Sequence, residues 1–123
     1  ACVHVMMRES EAKKRNLPIL AKIVAQASAA QEPAWFTTAP VLAIKKVLQL
    51  ANWSVSDVDL FEINEAFAVV TLATMKELSL PHDKVNIHGG ACALGHPIGA
   101  SGARIVNTLI YALKEKGLKR GIA

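Results

Sequence analysis

Residues 59–78 read DLFEINEAFAVVTLATMKEL, and the fold turns on them. Asp59-Leu-Phe-Glu-Ile63 is a short apolar run of strand length. It passes straight into Asn64-Glu65. A stretch from about Ala66 to Leu78 then reads as a helix, closed by the turn at Leu80-Pro81. A strand feeding a helix through a short polar junction is the building unit of α/β folds.

The flanking sequence repeats the pattern. Upstream, Thr38 reads as an N-cap and Pro40 sits in the first turn of a helix reaching about Ala51. Val41, Ile44, Val47, Leu48 and Ala51 recur at helical spacing on it. Glu32 to Ala39 reads as a loop. Residues 19–30, ILAKIVAQASAA, fit a strand by their short apolar run and a helix by their Ala content. Ser10 is a candidate cap for a short basic helix, Glu11 to Asn16, stopped by Pro18, and residues 3–7 read as a buried strand. Downstream, Lys84-Val-Asn-Ile87 reads as another strand. Gly89 to Gly102 is the densest glycine region, and a last helix runs from about Ala103 to Lys116. This alternation predicts a layered α/β fold, α-β-α, with a mainly parallel or mixed sheet. Residues 1–123 form one partial domain.

Composition narrows the class. The apolar fraction is 52%. Exchanging Tyr for Gly in the count gives about 57%, against about 45–50% in soluble domains. Such a chain buries enough surface to fold, which excludes intrinsic disorder. Two cysteines, Cys2 and Cys92, are too few for a disulfide scaffold. No apolar run is long enough to span a membrane. The apolar surplus predicts a face buried against a partner or another part of the same protein. The chain opens within the apolar run Cys2 to Met7 and closes on Gly121-Ile-Ala123, where a strand is just beginning. Both ends therefore read as the interior of a longer chain. The net charge of +4 is uneven: +3 over residues 1–22, −1 over 23–59, −2 over 60–100 and +4 over 101–123. No aromatic residues interleave the basic ones, so nucleic-acid binding has no support.

Two constellations carry chemistry. Asn64-Glu65-Ala66-Phe67-Ala68 lies where a strand ends and a helix begins, the usual ligand position in open α/β sheets. Asn64 fits two roles: a helix cap, or an amide holding a water or a carbonyl. Glu65 sits where the helix dipole favours a carboxylate. The second constellation, Gly89 to Arg104, has five glycines in its first 14 residues. His96 stands between Gly95 and Pro97, just ahead of a helix. That placement suits a positioned base or hydrogen-bond donor, and it equally suits a structural turn.

Rival readings of this loop are weaker. Gly90-x4-Gly95 is followed by His rather than Lys-Ser/Thr, so it is not a phosphate-cradling loop. His88, Cys92 and His96 recur at four-residue spacing, but the surrounding glycines argue against the helix a metal would need there, and no metal is expected. Cys92 with His96 fits a nucleophile–base pair, yet its alanine neighbours favour a small buried hydrophobe.

Together the constellations resemble the thiolase family, of the acetyl-CoA acetyltransferase type. The matching blocks are Asn64 to Ala68, Asn86 to Ala91, and Gly95 to Arg104. Leu20 to Val24, Thr38-Ala-Pro40 and Asp57 to Leu60 match as flanks. The resemblance implies a thiolase fold, C-terminal half, and an acyltransferase. Such an enzyme condenses two acetyl-CoA to acetoacetyl-CoA and CoA, or runs the thiolytic reverse. A broad-range 3-ketoacyl-CoA thiolase and a non-catalytic thiolase-like binding or oligomerisation domain are the alternatives. It further implies His96 as the base that activates a nucleophilic Cys and contributes to an oxyanion hole, and Asn64 as holder of the water completing that hole. Ala66, Phe67 and Phe36 are expected to line the acyl pocket, supported by Glu65, Gly95 and Pro97. Neither Cys2 nor Cys92 matches the family's catalytic cysteines. Coenzyme A is implied as substrate or product and no cofactor besides. The implied partners are the rest of the thiolase chain and a second copy, in a dimer or tetramer. The implied compartment is the cytoplasm, with mitochondria as the alternative.

Overall fold

A computed structural model describes residues 1–123. The regular elements are helix α1 (Glu9–Lys14), α2 (Ala39–Ala51), strand β1 (Leu60–Phe61), α3 (Ala68–Leu78), α4 (Ala91–Leu94), α5 (Ile98–Lys116) and strand β2 (Gly121–Ile122). Short 3-10 turns stand at Pro33–Thr38, Val55–Asp57 and His82–Lys84. β1 and β2 pair in parallel, Leu60 with Gly121 and Phe61 with Ile122, and Val85 forms a parallel bridge to Phe61 on the other side. The chain is α/β as its sequence predicts. Its sheet is small, and every pair in it is parallel.

Strand alternation divides the interior in two. Phe61 and Ile63 face one way, into a core with Ile44 and Leu48 of α2, Val70 of α3, Val58, Leu80 and Val85. Leu60 faces the other way and packs on Leu109 and Ala112 of α5. Asp59 fixes the second pairing, because its carboxylate accepts the backbone N–H of Lys119 at 3.0 Å and of Arg120 at 2.8 Å. Those two bonds hold the Asp59 carboxyl below its ordinary range. The helices stop as glycine and left-handed caps dictate: Asn52 after α2, Ser79 after α3 and Gly117 after α5 all have positive φ.

Several local expectations are corrected. Residues 3–7 form no strand, and Val3, Val5 and Met6 are exposed. A strand needs a neighbour for its backbone, and no segment pairs with this one. Residues 19–30, ambiguous by sequence, form neither helix nor strand. The first helix starts at Glu9 after Arg8, so Ser10 lies inside it rather than capping it. Thr38 caps through no side-chain bond to α2; its hydroxyl donates back to the Trp35 carbonyl at 3.0 Å. Lys84 to Ile87 contributes a turn and a single bridge in place of a strand. α5 begins five residues earlier than expected, at Ile98, directly after Pro97. Gly99 and Gly102 read as breakers, but they are tolerated in a helix whose first turn Pro97 pre-forms.

Candidate active site

The helix after β1 begins at Ala68, with Phe67 at its N-cap position. Asn64 therefore does not cap it. Residues 64–66 form the junction, and their side chains are free for other work. The backbone of Ile63, just before, is pinned by Asn86: the Asn86 Oδ1 accepts the Ile63 N–H at 2.8 Å, and Nδ2 donates to the Ile63 carbonyl at 2.8 Å. Asn86 adopts a left-handed φ of 47°, which Asn tolerates better than most residues.

Glu65 is the next tie. Its carboxylate accepts from Asn86 Nδ2 at 3.0 Å and from the Cys92 backbone N–H at 2.9 Å. Desolvation works against the ionised form, but these hydrogen bonds outweigh it and leave the Glu65 carboxyl below its ordinary range. Gly90 makes this approach possible. A Cβ there would lie 2.5 Å from the Glu65 Cδ. The junction, the Asn86 turn and the start of α4 are thus locked together by one carboxylate and one amide.

Across this frame sits His96. Gly95 has φ 86° and ψ 166°, a combination essentially confined to glycine, and Pro97 follows at the N-cap of α5. His96 Nδ1 lies 2.7 Å from the Ser101 hydroxyl oxygen, and that hydroxyl lies 3.2 Å from the Pro97 carbonyl. A hydroxyl has one proton. Donation to Pro97 leaves the oxygen able to accept from Nδ1–H, the tautomer in which Nε2 is the basic nitrogen. The Asn64 amide nitrogen is 3.3 Å from Nδ1 and 3.5 Å from Nε2. The Asn64 Oδ1 is buried with no partner in the chain. Residues 32 positions apart are thereby brought into contact.

The other expected residues are placed as follows. The rings of Phe36 and Phe67 meet edge to face, with centroids 6.1 Å apart, and both are partly exposed. Ala66 packs against the larger core. Cys92 is exposed, which corrects its reading as a small buried hydrophobe. Local desolvation and the Glu65 carboxylate push its thiol above the ordinary range, so it is a poor thiolate. His88 points to Glu115, at 3.3 Å, and His96 to Ser101, so the four-residue spacing converges on no common ligand position. A single helical turn, α4, does form within the glycine-rich loop. Ser101, Asn86 and Gly90 lay in the motif blocks but were assigned no part in the site from the sequence. The available signal for Ser101 was a hydroxyl one turn into the helix that follows the histidine.

Glu62, just before the junction, is 3% exposed. Its carboxyl is pushed up to about 7, chiefly by burial, with Arg104 pulling it down and Glu65 adding to the rise. The ordinary value is 4.5, so the folded state binds this proton more tightly than the unfolded chain does. The stability from this group is full below pH 4.5 and is lost as pH rises to about 7. Glu62→Gln is expected to gain about 3 kcal/mol on wild type between pH 4 and pH 8. Parallel stability curves from denaturant titrations at the two pH values would contradict this.

Comparison with known proteins identifies the family. The thiolase C-terminal domain family matches residues 17–123. The chain belongs to the thiolase family. A probable acetyl-CoA acetyltransferase of Dictyostelium discoideum is 56% identical over 119 residues, covering 97% of this chain and 29% of that protein. The cytosolic acetyl-CoA acetyltransferase of Mus musculus is 52% identical over all 123 residues, 31% of its own length. The crystal structure of the Bacillus anthracis acetyl-CoA acetyltransferase superposes with a TM-score of 0.90 at 48% identity, over 94% of this chain and 29% of that one. This thiolase domain thus spans under a third of the length of the relatives it matches. None of its helices is long and apolar enough to cross a membrane.

Proposed function

We propose that this domain supplies the histidine–asparagine half of a thiolase reaction centre. The reaction condenses two acetyl-CoA to acetoacetyl-CoA and CoA, or cleaves acetoacetyl-CoA with CoA. The apposition of Asn64 and His96, with the amide nitrogen 3.5 Å from Nε2 across 32 residues, carries the reading. Both reaction directions build negative charge on a thioester oxygen, and preorganised donors stabilise that charge. With Nδ1 held by Ser101, Nε2 takes the proton of an attacking thiol and then presents it as an N–H to the oxyanion. Asn64 holds a water as the second donor. The attacking thiol belongs to a part of the protein outside residues 1–123, because Cys92 is disfavoured as a thiolate and Cys2 contacts His4 rather than His96. Phe36 and Phe67 form an apolar wall for a short acyl group, and Ala66 contributes to the same lining from its seat against the larger core.

The partners follow from the surface. Val3, Val5, Ile23, Leu72 and Ile98 are all more than half exposed, an apolar area suited to the rest of a thiolase chain and to a second copy. Coenzyme A enters as substrate and product, with no further cofactor. The cytosol is the compartment this reading favours, as in the rodent relatives named cytosolic.

In a complete chain carrying this domain, Asn64→Ala is expected to lower kcat for CoA-dependent cleavage of acetoacetyl-CoA by about tenfold. That is less than a full oxyanion donor costs, because water partly refills the site. An unchanged kcat would remove Asn64 from the mechanism. Residues 1–123 alone are expected to show no cleavage. Turnover by them would mean that a nucleophile lies within these residues.

A further inference from the structure

Three rungs join the strand to α5. Leu60 meets Leu109 and Ala112, Glu62 meets Arg104, and Asn64 meets His96, itself bonded to Ser101. Residues 60, 62 and 64 alternate to one side of an extended segment, while Phe61 and Ile63 point into the other core. Along α5, Ser101 and Arg104 are one turn apart and share a face. The lowest rung is apolar, and the highest is the candidate active site. The middle rung is a carboxylate and a guanidinium 3.9 Å apart, with their side chains 2% and 22% exposed.

An ion pair buried at this position is costly. An apolar pair of similar volume would hold strand and helix together at least as well. The facing atoms, Glu62 Oε2 and Arg104 Nη1, are too far apart to hydrogen-bond each other and have no hydrogen-bond partner elsewhere in the chain. Arg104 is the one opposite charge beside Glu62; Arg104 also attracts Glu65, whose carboxylate is engaged by Asn86 and the Cys92 backbone.

We propose that Glu62 and Arg104 are positioning residues that set the spacing of Asn64 against His96. The ionised pair draws the end of the β1 segment toward the N-terminal half of α5, and the rung above it takes its geometry from that contact. Neither residue touches the reacting atoms. The inference rests on the reading of Asn64 and His96 given above. A misplacement of about 1 Å in such a site can cost on the order of a hundredfold in rate. The presence of a costly pair one rung below the site is thereby accounted for.

The test uses the complete chain and the isosteric variant Glu62→Gln, with kcat and KM for CoA-dependent cleavage of acetoacetyl-CoA measured from pH 5.5 to 8.5. At pH 8 the variant is expected to lose about tenfold in kcat, with KM changed less than about twofold. The ratio of wild-type to variant kcat should fall toward one below about pH 6, where Glu62 in the wild type is protonated as well. A general loss of structure would give a ratio independent of pH. Arg104→Met should reproduce both effects, and Arg104→Lys should restore part of the rate. A flat ratio, or less than a twofold loss at pH 8 in both Glu62→Gln and Arg104→Met, overturns the proposal. A wild-type chain inactive at every pH instead overturns the functional reading. The positioning claim is then judged by crystal structures of wild type and Glu62→Gln. A widening of the Asn64–His96 gap by about 1 Å supports it, and an unchanged gap refutes it.

Discussion

His96→Ala, made in a complete chain, is expected to lower kcat for acetoacetyl-CoA cleavage by about two orders of magnitude or more. The size follows from two roles on one ring. Nε2 is the nitrogen left free when Nδ1 is bonded to Ser101, so it accepts the thiol proton, and general-base catalysis of this kind contributes about 10²–10⁴-fold. The same nitrogen, once protonated, faces the developing oxyanion, and a single such donor is worth about 3 kcal/mol. The two effects share a proton and do not simply add. Steady-state kinetics with CoA and acetoacetyl-CoA decide the matter. A loss below tenfold would remove His96 from the chemistry and leave it a structural turn residue.

The second large effect is on stability. Asn86→Ala is expected to destabilise the domain by about 3 kcal/mol. The substitution removes both side-chain bonds to the Ile63 backbone and the bond to Glu65. Ile63 is buried, so its N–H and carbonyl are left without partners in an apolar setting. Ala also fits the left-handed φ of 47° less well than Asn. Denaturant midpoints for wild type and variant provide the check. A change under about 1 kcal/mol would mean that the junction is held by other contacts.

What the sequence made legible and what it hid have separate physical causes. α2 and the body of α5 were readable because each repeats apolar residues at the helical period, and that face is buried. The span 3–7 misled because an apolar run says only that a segment is fit for burial, whereas a strand exists only where another backbone accepts its hydrogen bonds. The onset of α3 was placed two residues early. Glu65 has better partners across the loop than in a helical turn, and it draws residues 64–67 into the junction. Periodicity carries no information about such a cross-chain competitor. Asn64 and His96 were named from the residues around them, but their contact is a product of the fold. Ser101, Asn86 and Arg104 fell within matched blocks but, like Glu62, were given no role of their own, because each matters through a partner brought to it by the fold. Phe36 was found only through the family resemblance, and the structure sets it against Phe67.

The most direct test of the central claim is a crystal structure of the complete chain with acetyl-CoA bound. It should place the thioester oxygen about 3 Å from His96 Nε2, with an ordered water bridging that oxygen to the Asn64 side chain. A thioester bound elsewhere, with His96 and Asn64 facing only each other and the protein, would contradict the account.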